Sequence, residues 1–376
     1  MSMKKRVALY AGTGPVMTHY DVDIEAYTLT KRGSVTLPSN VQYAWPHSSK
    51  PVLYVATSSR VNRNDLGTEH FVCALKIDDA SGELSMHGQP VRLPGRPVHL
   101  SVDIPNRHVL LAFNRPSNLM VFRIEADGTV GGEVPQRSGF DLGAFPHQVR
   151  VTPDNRLAIL VNRGHPGSNP EEDRQKEPGA LKVFEYRDGV LGKEVSVAPG
   201  DGYRYGARHL DFHPTNPLVY VSIETQNKLS VHNREGDAIA PEPLFTRETL
   251  ANPGKKLAQR QCAGAIHFHP NGRVLYCVNR SVIHQASEGK EFLVDPDDTF
   301  AVYSIDSATG EPRLIQHIHA GGLAARTFSL DPGGRMLVAG NSETYPVKKK
   351  DGDPAQLVSA NLAVFRILED GRLEFK

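Results

Sequence analysis

Two of the side chains best suited to chemistry in this 376-residue chain, Arg208 and Glu224, stand near or at the ends of one stretch, ARHLDFHPTNPLVYVSIE over Ala207–Glu224. The stretch reads as two short strands joined by a tight turn. The same pattern returns as FPHQVRVTPDNRLAILVNR from Phe145, as GAIHFHPNGRVLYCVNR from Gly264 and as ARTFSLDPGGRMLVAGNS from Ala325. Counting six residues back and ten forward from the proline-type turn position gives pairs sixteen apart, expected to face each other across each hairpin. They are Gln42 and Ser58, Val98 and Asn114, His147 and Arg163, Arg208 and Glu224, Gly264 and Arg280, and Arg326 and Ser342, with Gly14 from the first unit. A purely structural repeat would make these equivalent positions alike. They differ, and the charged members fall in the last four units.

Arg163, Arg208, Arg280 and Arg326 with one carboxylate and one imidazole make a locally positive set. The planar fork of arginine suits carboxylate or phosphate, so the expected ligand is a small anion rich in oxygen. Arg163, Arg326, Asn114 and Ser342 are the expected substrate-binding residues; His147, Glu224, Arg208 and Arg280 are the expected catalytic ones. The plainer alternative is that Arg208 and Glu224 form a cross-strand ion pair that fixes the sheet, and His147, Arg280 and Arg326 tip the balance towards a ligand. For proton transfer His147 is favoured, because histidine titrates near neutrality whereas a glutamate between arginines is held ionised.

Other polar residues read as structural. His209 and His99 point to the opposite strand face, and His213, His267 and His269 fall in repeat turns or strands without metal-ligand spacing. Asn114, Asn162, Asn279 and Asn341 could ring a calcium ion, but arginines repel a cation, and an asparagine at a strand end commonly bonds nearby backbone. Neither metal nor cofactor is expected. Gly12-Thr13-Gly14 is too short for a nucleotide loop, and GxSxG, HExxH and P-loop patterns are missing from the sequence.

Elements able to position these residues recur along the whole chain. Each unit has a leading strand, a turn such as PDNR, PNGR or PGGR, a second strand of the type LYVxN, and a third of the type VFxI. Third strands are expected at Phe71–Ile77, Leu119–Ile124, Leu181–Tyr186, Leu229–Asn233, Phe300–Ile305 and Leu362–Ile367, and the glycine turns behind them open an outer strand. Units start near residues 6, 42, 97, 145, 207, 262 and 325, roughly the 40 to 50 residue period of propeller blades. The expectation is all-β: a seven-bladed β-propeller of four-stranded antiparallel blades, residues 1–376 forming one domain. Residues 6–12 and 22–29 read as the first strands. The first unit lacks a leading strand, so Arg372–Lys376 is expected to close it. The long polar links 164–179, 281–298 and 343–359 are expected to frame a binding mouth, with the Lys348–Lys350 run solvated.

Composition narrows the function. With 43 Lys plus Arg against 42 Asp plus Glu the net charge is +1, so no global field favours nucleic acid or an anionic membrane, and neither is an expected partner. Cys73, Cys262 and Cys277 form no CxxC pair and fit a reducing compartment. The apolar run after the N-terminal basic cluster breaks at Gly12, too early for a signal-peptide core, and no stretch approaches the roughly 18 apolar residues of a membrane span. A soluble cytoplasmic protein is expected.

HLSVD at His99, ARHLDFHP at Ala207 with Glu224 beyond it, HFHPNGRVLYCVNR at His267, FSLDPGGRMLVAGN at Phe328 and the closing LAVFRILEDGRL resemble a known family. It is the seven-bladed propeller lactonases, which include the bacterial propeller-type 6-phosphogluconolactonase and the fungal carboxy-cis,cis-muconate cyclase. The resemblance spans nearly the whole chain and implies a metal-independent cytosolic enzyme that opens or closes a sugar or muconate lactone ring. The active residues of the cyclase type match His147, Arg208, Glu224 and Arg280. Ala207 stands where the family usually has Pro, Arg326-Thr327 where Arg-His is common, and Val161–Gly164 where many hydrolytic members are acidic. Hydrolysis of a sugar-acid lactone is the first expectation, muconate-type cycloisomerisation the second, and a non-catalytic binding propeller the third.

Overall fold

The computed structural model describes residues 7–61, 65–165, 177–254, 260–283, 292–350 and 352–376. The chain divides into two compact units, Met1–Asp23 with Thr28–Tyr205, and Ile24–Tyr27 with Gly206–Lys376. The described residues build sheets that are antiparallel except for one parallel pairing, Leu293–Val294 with Tyr345–Lys348, and one short 3₁₀ turn lies at Pro199–Gly202.

The first unit holds four sheets. One has three strands, Val7–Thr13, Val16–Asp23 and Thr28–Thr36. The others have four each: Asn40–Pro46, Val52–Ser58, His70–Ile77 and Leu84–Arg92; then Pro97–Val102, His108–Asn114, Ser117–Ile124 and Val130–Glu133; then Pro146–Val151, Leu157–Asn162, Ala180–Arg187 and Val190–Val197. The second unit holds three main sheets, besides a small satellite sheet. Ala207–Phe212, Leu218–Ile223 and Lys228–Glu235 carry two short outer strands, Ala238–Ile239 and Phe245–Glu248. Gln261–Phe268, Val274–Ser281, Thr299–Ile305 and Pro312–His319 follow, and Leu323–Leu330, Met336–Glu343, Asn361–Ile367 and Leu373–Phe375 end the chain.

All six expected third strands are present within a residue or two at either end. Other expectations change. Residues 22–29 are not one strand: Asp23 ends one, Thr28 begins the next, and Tyr27 turns the chain at φ 55°. Leu373–Phe375 does not complete the first sheet. It pairs with Phe365–Ile367 of its own blade, because the turn at Gly371 (φ 86°) folds it straight back along that strand's open edge.

Outside the first sheet, second strands are largely buried on both faces, as in Val52–Ser58 and Leu218–Ile223, where every residue is buried. Such strands need apolar cover above and below. Neighbouring sheets supply it: Tyr54, Ala56 and Val72 share a core with Leu100, Val109 and Leu111, and Tyr276, Phe300 and Val302 share one with Phe328, Leu337 and Phe365. The tyrosine of LYVxN adds a fixed polar tie. Tyr10, Tyr54, Tyr220 and Tyr276 donate to the carbonyls of Gly82, Gly128, Gly310 and Gly371 at 2.7, 2.9, 2.6 and 2.9 Å. Each acceptor is the glycine of the outer turn in the next sheet along the chain, held at positive φ.

The links expected as polar loops contain structure of their own where they are described. Leu293–Val294, Tyr345–Lys348 and Gln356–Val358 form a small satellite sheet over Ile283, Leu293, Leu323 and Ala324. Lys348 is not merely solvated: its ammonium lies 3.7 Å from the centre of the Phe292 ring. Most of 164–179 falls outside the described residues.

Candidate active site

In six of the seven main sheets the first two strands pair with a break in register, between Val41 and Tyr43, Pro97 and His99, Pro146 and Gln148, Ala207 and His209, Ala263 and Ile266, and Ala325 and Thr327. The residues skipped are Gln42, Val98, His147, Arg208, Gly264 with Ala265, and Arg326. These include every leading position that the repeat comparison selected. A bulge residue has no ladder partner, and its side chain is re-aimed out of the alternation. The sixteen-residue pairs are therefore not directly opposite, as the sequence led us to expect: the extra residue shifts the register. Glu224 N–H bonds the carbonyl of Gly206 at 2.8 Å, Arg163 N–H that of Phe145 at 3.1 Å, and Arg280 lies opposite Cys262.

Three bulges carry a charged or titratable side chain, and each shares a second feature. Two residues before His147, Arg208 and Arg326 the backbone takes the left-handed region, at Phe145 (φ 55°), Gly206 (φ 61°) and Ala324 (φ 52°). None of the residues two before Gln42, Val98 or Gly264 does so. Phe145 and Ala324 carry a Cβ that the left-handed region disfavours, and such strain gathers at functional sites. At Gly206 a Cβ would also clash with Thr225 Oγ1.

In the second unit the structure brings Arg208, Glu224 and Arg280 together. Arg208 and Glu224 are each 3% exposed and Arg280 7%. Arg208 Nη1 donates to Glu224 Oε2, and Arg280 Nη2 stands 3.7 Å from the same oxygen. Two residues outside the compared positions complete the cluster: Arg260 Nη2 lies 4.0 Å from Glu224 Oε1, and Cys262 Sγ lies 3.9 Å from it. Burial first, and then the charge of Arg280, push the Arg208 pKa down to about 10 against the opposing pull of Glu224, which leaves it charged at neutral pH. Burial and the Glu224 charge push the Cys262 thiol up, so it is neutral there and no nucleophile. Arg326 is exposed at its bulge, and Ser342, also exposed, donates to the Ala324 carbonyl at 3.0 Å.

In the first unit His147 and Arg163 are half-buried. The Arg163 guanidinium covers the Phe145 ring at 4.1 Å, with Arg115 at 5.3 Å from the same ring centre. Asn114 ends its strand half-buried, next to Arg115 in sequence. Phe145 was not selected from sequence, since its part is played by backbone and ring.

The structural readings of other polar residues agree with their surroundings. His99 is fully buried and packs against Tyr43 at 4.0 Å; His209 is buried too. His213 Nδ1 accepts from the amides of Thr215 and Asn216 at 3.2 and 3.0 Å, and His269 Nδ1 from Asn271 at 3.1 Å, so both close turns. Asn162 and Asn341 donate to the backbone carbonyls of Leu142 and Ala320 at 2.6 and 3.0 Å, and Asn279 donates to that of Thr249. Among the described residues no group of three or more acidic, histidine or cysteine side chains could hold a metal ion, and no helix is long and apolar enough to cross a membrane.

Repeated four-stranded sheets with a dehydrated cluster of arginines at a bulged leading strand define the class, and comparison with known proteins agrees. The chain belongs to the seven-bladed β-propeller lactonase family, whose model matches residues 7–357. It is 27% identical over 331 residues to the 6-phosphogluconolactonase of Bacillus subtilis (strain 168), covering 86% of this chain and 84% of that one. It is 28% identical over 330 residues to that of Pectobacterium carotovorum, covering 84% and 92%. Among solved structures, the periplasmic gluconolactonase of Pseudomonas aeruginosa superposes with a TM-score of 0.71 at 20% identity, over 99% of this chain and 94% of that one.

Proposed function

We propose that this protein hydrolyses the lactone of a sugar acid, and that the substrate carries an anionic group. The observation that carries this reading is the buried cluster of Arg208, Arg280 and Glu224, set on a bulge in a chain of the lactonase family. The names of its relatives support the sugar-lactone class. Part of the same proposal is that residues 1–376 act as one propeller domain, for which the reach of the family match over residues 7–357 speaks. A cytoplasmic location is proposed with it, supported by three buried free cysteines.

The roles follow from chemistry. Opening a lactone places negative charge on the carbonyl oxygen, and fixed donors in a dehydrated setting stabilise that charge without reorganising. Arg208 and Arg280 are assigned this work. Glu224 holds the two guanidiniums in place and is the weaker candidate base. His147 is the favoured base that takes a proton from the attacking water, with Arg163, Arg326, Asn114 and Ser342 as further substrate contacts.

The test is acid release from 6-phosphoglucono-δ-lactone and glucono-δ-lactone by the purified protein, alongside its His147→Ala and Arg280→Ala variants. Loss of one oxyanion donor typically lowers the rate about 100- to 1,000-fold, and that is expected of Arg280→Ala. Ring closure of a carboxymuconate without hydrolysis of any lactone would overturn the reading in favour of a cycloisomerase.

A further inference from the structure

Arg260 lies outside the repeat positions, and the hydrolytic roles above do not use it. It stands directly before the strand Gln261–Phe268, and its carbonyl accepts from the Val282 amide at 2.9 Å, so its backbone is fixed to the ladder. Its Nη2 faces Glu224 Oε1, the oxygen that Arg208 does not hold, at 4.0 Å. That separation exceeds a hydrogen bond, so the donors of Arg260 are not committed to Glu224. Among the described residues Glu224 is the one carboxylate recorded within 4.0 Å of it.

Exposure separates the three arginines. The side chains of Arg208 and Arg280 are 4% and 8% exposed, and that of Arg260 is 35% exposed. Among the described residues the cluster also carries excess charge: three guanidiniums against one carboxylate leave a net +2. The Cys262 thiol responds to the same four charged groups. A partly dehydrated positive excess favours an incoming anion, and the guanidinium best placed to receive one is the solvent-facing one with the loosest present contact.

We propose that Arg260 binds the anionic substituent of the substrate, a phosphate or carboxylate remote from the lactone carbonyl, and so sets selectivity for charged over neutral lactones. This rests on the hydrolase reading above. Arg208 and Arg280, being buried, serve the reacting carbonyl; Arg260 anchors a group that stays partly solvated.

The experiment compares kcat/KM for 6-phosphoglucono-δ-lactone, for a carboxylate-bearing lactone of glucaric acid and for neutral glucono-δ-lactone, in wild type, Arg260→Gln and Arg260→Lys. Loss of one charge-assisted contact should lower the ratio of charged to neutral substrate by about 10- to 100-fold in Arg260→Gln, mainly through KM. Arg260→Lys should restore much of it. The charged lactone whose ratio falls identifies the group bound. An unchanged ratio in Arg260→Gln, or an equal loss on charged and neutral lactones, overturns the anchoring role while the hydrolase reading stands. If wild type turns over none of the three, the hydrolase reading fails, and calorimetric titration with 6-phosphogluconate decides the rest: weaker binding to Arg260→Gln than to wild type upholds an anion site, and equal or undetectable binding to both overturns it.

Discussion

Glu224 is buried against two likewise buried guanidiniums, Arg208 and Arg280, at 3–7% exposure, so its removal is a matter of stability as well as chemistry. Deleting one partner of a buried pair strands the other charge, which typically costs about 3–5 kcal/mol. Glu224→Leu should therefore lose that much in urea unfolding, and Arg208→Met/Glu224→Leu should lose less than Glu224→Leu alone. A double variant weaker than the single would show that Arg208 is held by other contacts. At this scale the sequence disclosed the cluster in part. Arg208, Glu224 and Arg280 were legible because each departs from its counterparts in the repeat. Arg260 and Cys262 were not, because Arg260 precedes its strand and Cys262 occupies a position that the comparison did not sample. Phe145 stayed hidden for a different reason: its conformation, not its residue type, marks it.

Strands and turns carry the repeat, and their weak points can be named. Tyr54→Phe removes a buried side-chain donor to the Gly128 carbonyl, with an expected loss of about 1–3 kcal/mol in thermal or chemical unfolding. No loss would mean that water replaces the hydroxyl. The turn histidines make a pH-dependent contribution. Burial lowers the pKa of His213, and burial and then the Lys50 charge lower that of His47, both from 6.5. The unfolded chain therefore binds protons first on acidification. The contribution of these residues is full above pH 6.5 and is lost as pH falls from there through the lowered pKa of the folded state. Asp331 closes the equivalent turn by accepting from the Gly333 amide at 2.8 Å without needing a neutral imidazole. His213→Asp should thus shrink the drop in melting temperature between neutral and mildly acidic buffer; an equal drop would remove the histidine from the account. Strand positions were readable because apolar alternation and glycine turns are local. The bulges were not, because a one-residue slip leaves no mark on composition and shows only in the pairing.

Among the described residues the seven main sheets were legible from the period alone, whereas the satellite sheet Leu293–Val294, Tyr345–Lys348 and Gln356–Val358 was not, since its strands are two to four residues long and lie inside links that read as polar. Charge has the same division between whole and part. A chain of net charge +1 exerts little long-range pull on an anion, so attraction must come from the local excess around Glu224. Screening then acts over a short distance, since the Debye length is about 10 Å at 0.1 M salt. Raising sodium chloride from about 0.02 to about 0.3 M should accordingly lower kcat/KM for 6-phosphoglucono-δ-lactone severalfold and leave that for glucono-δ-lactone nearly level. A parallel fall for both lactones would place the salt effect on the fold. A fall for the charged lactone that persists undiminished in Arg260→Gln would assign the steering to other basic residues.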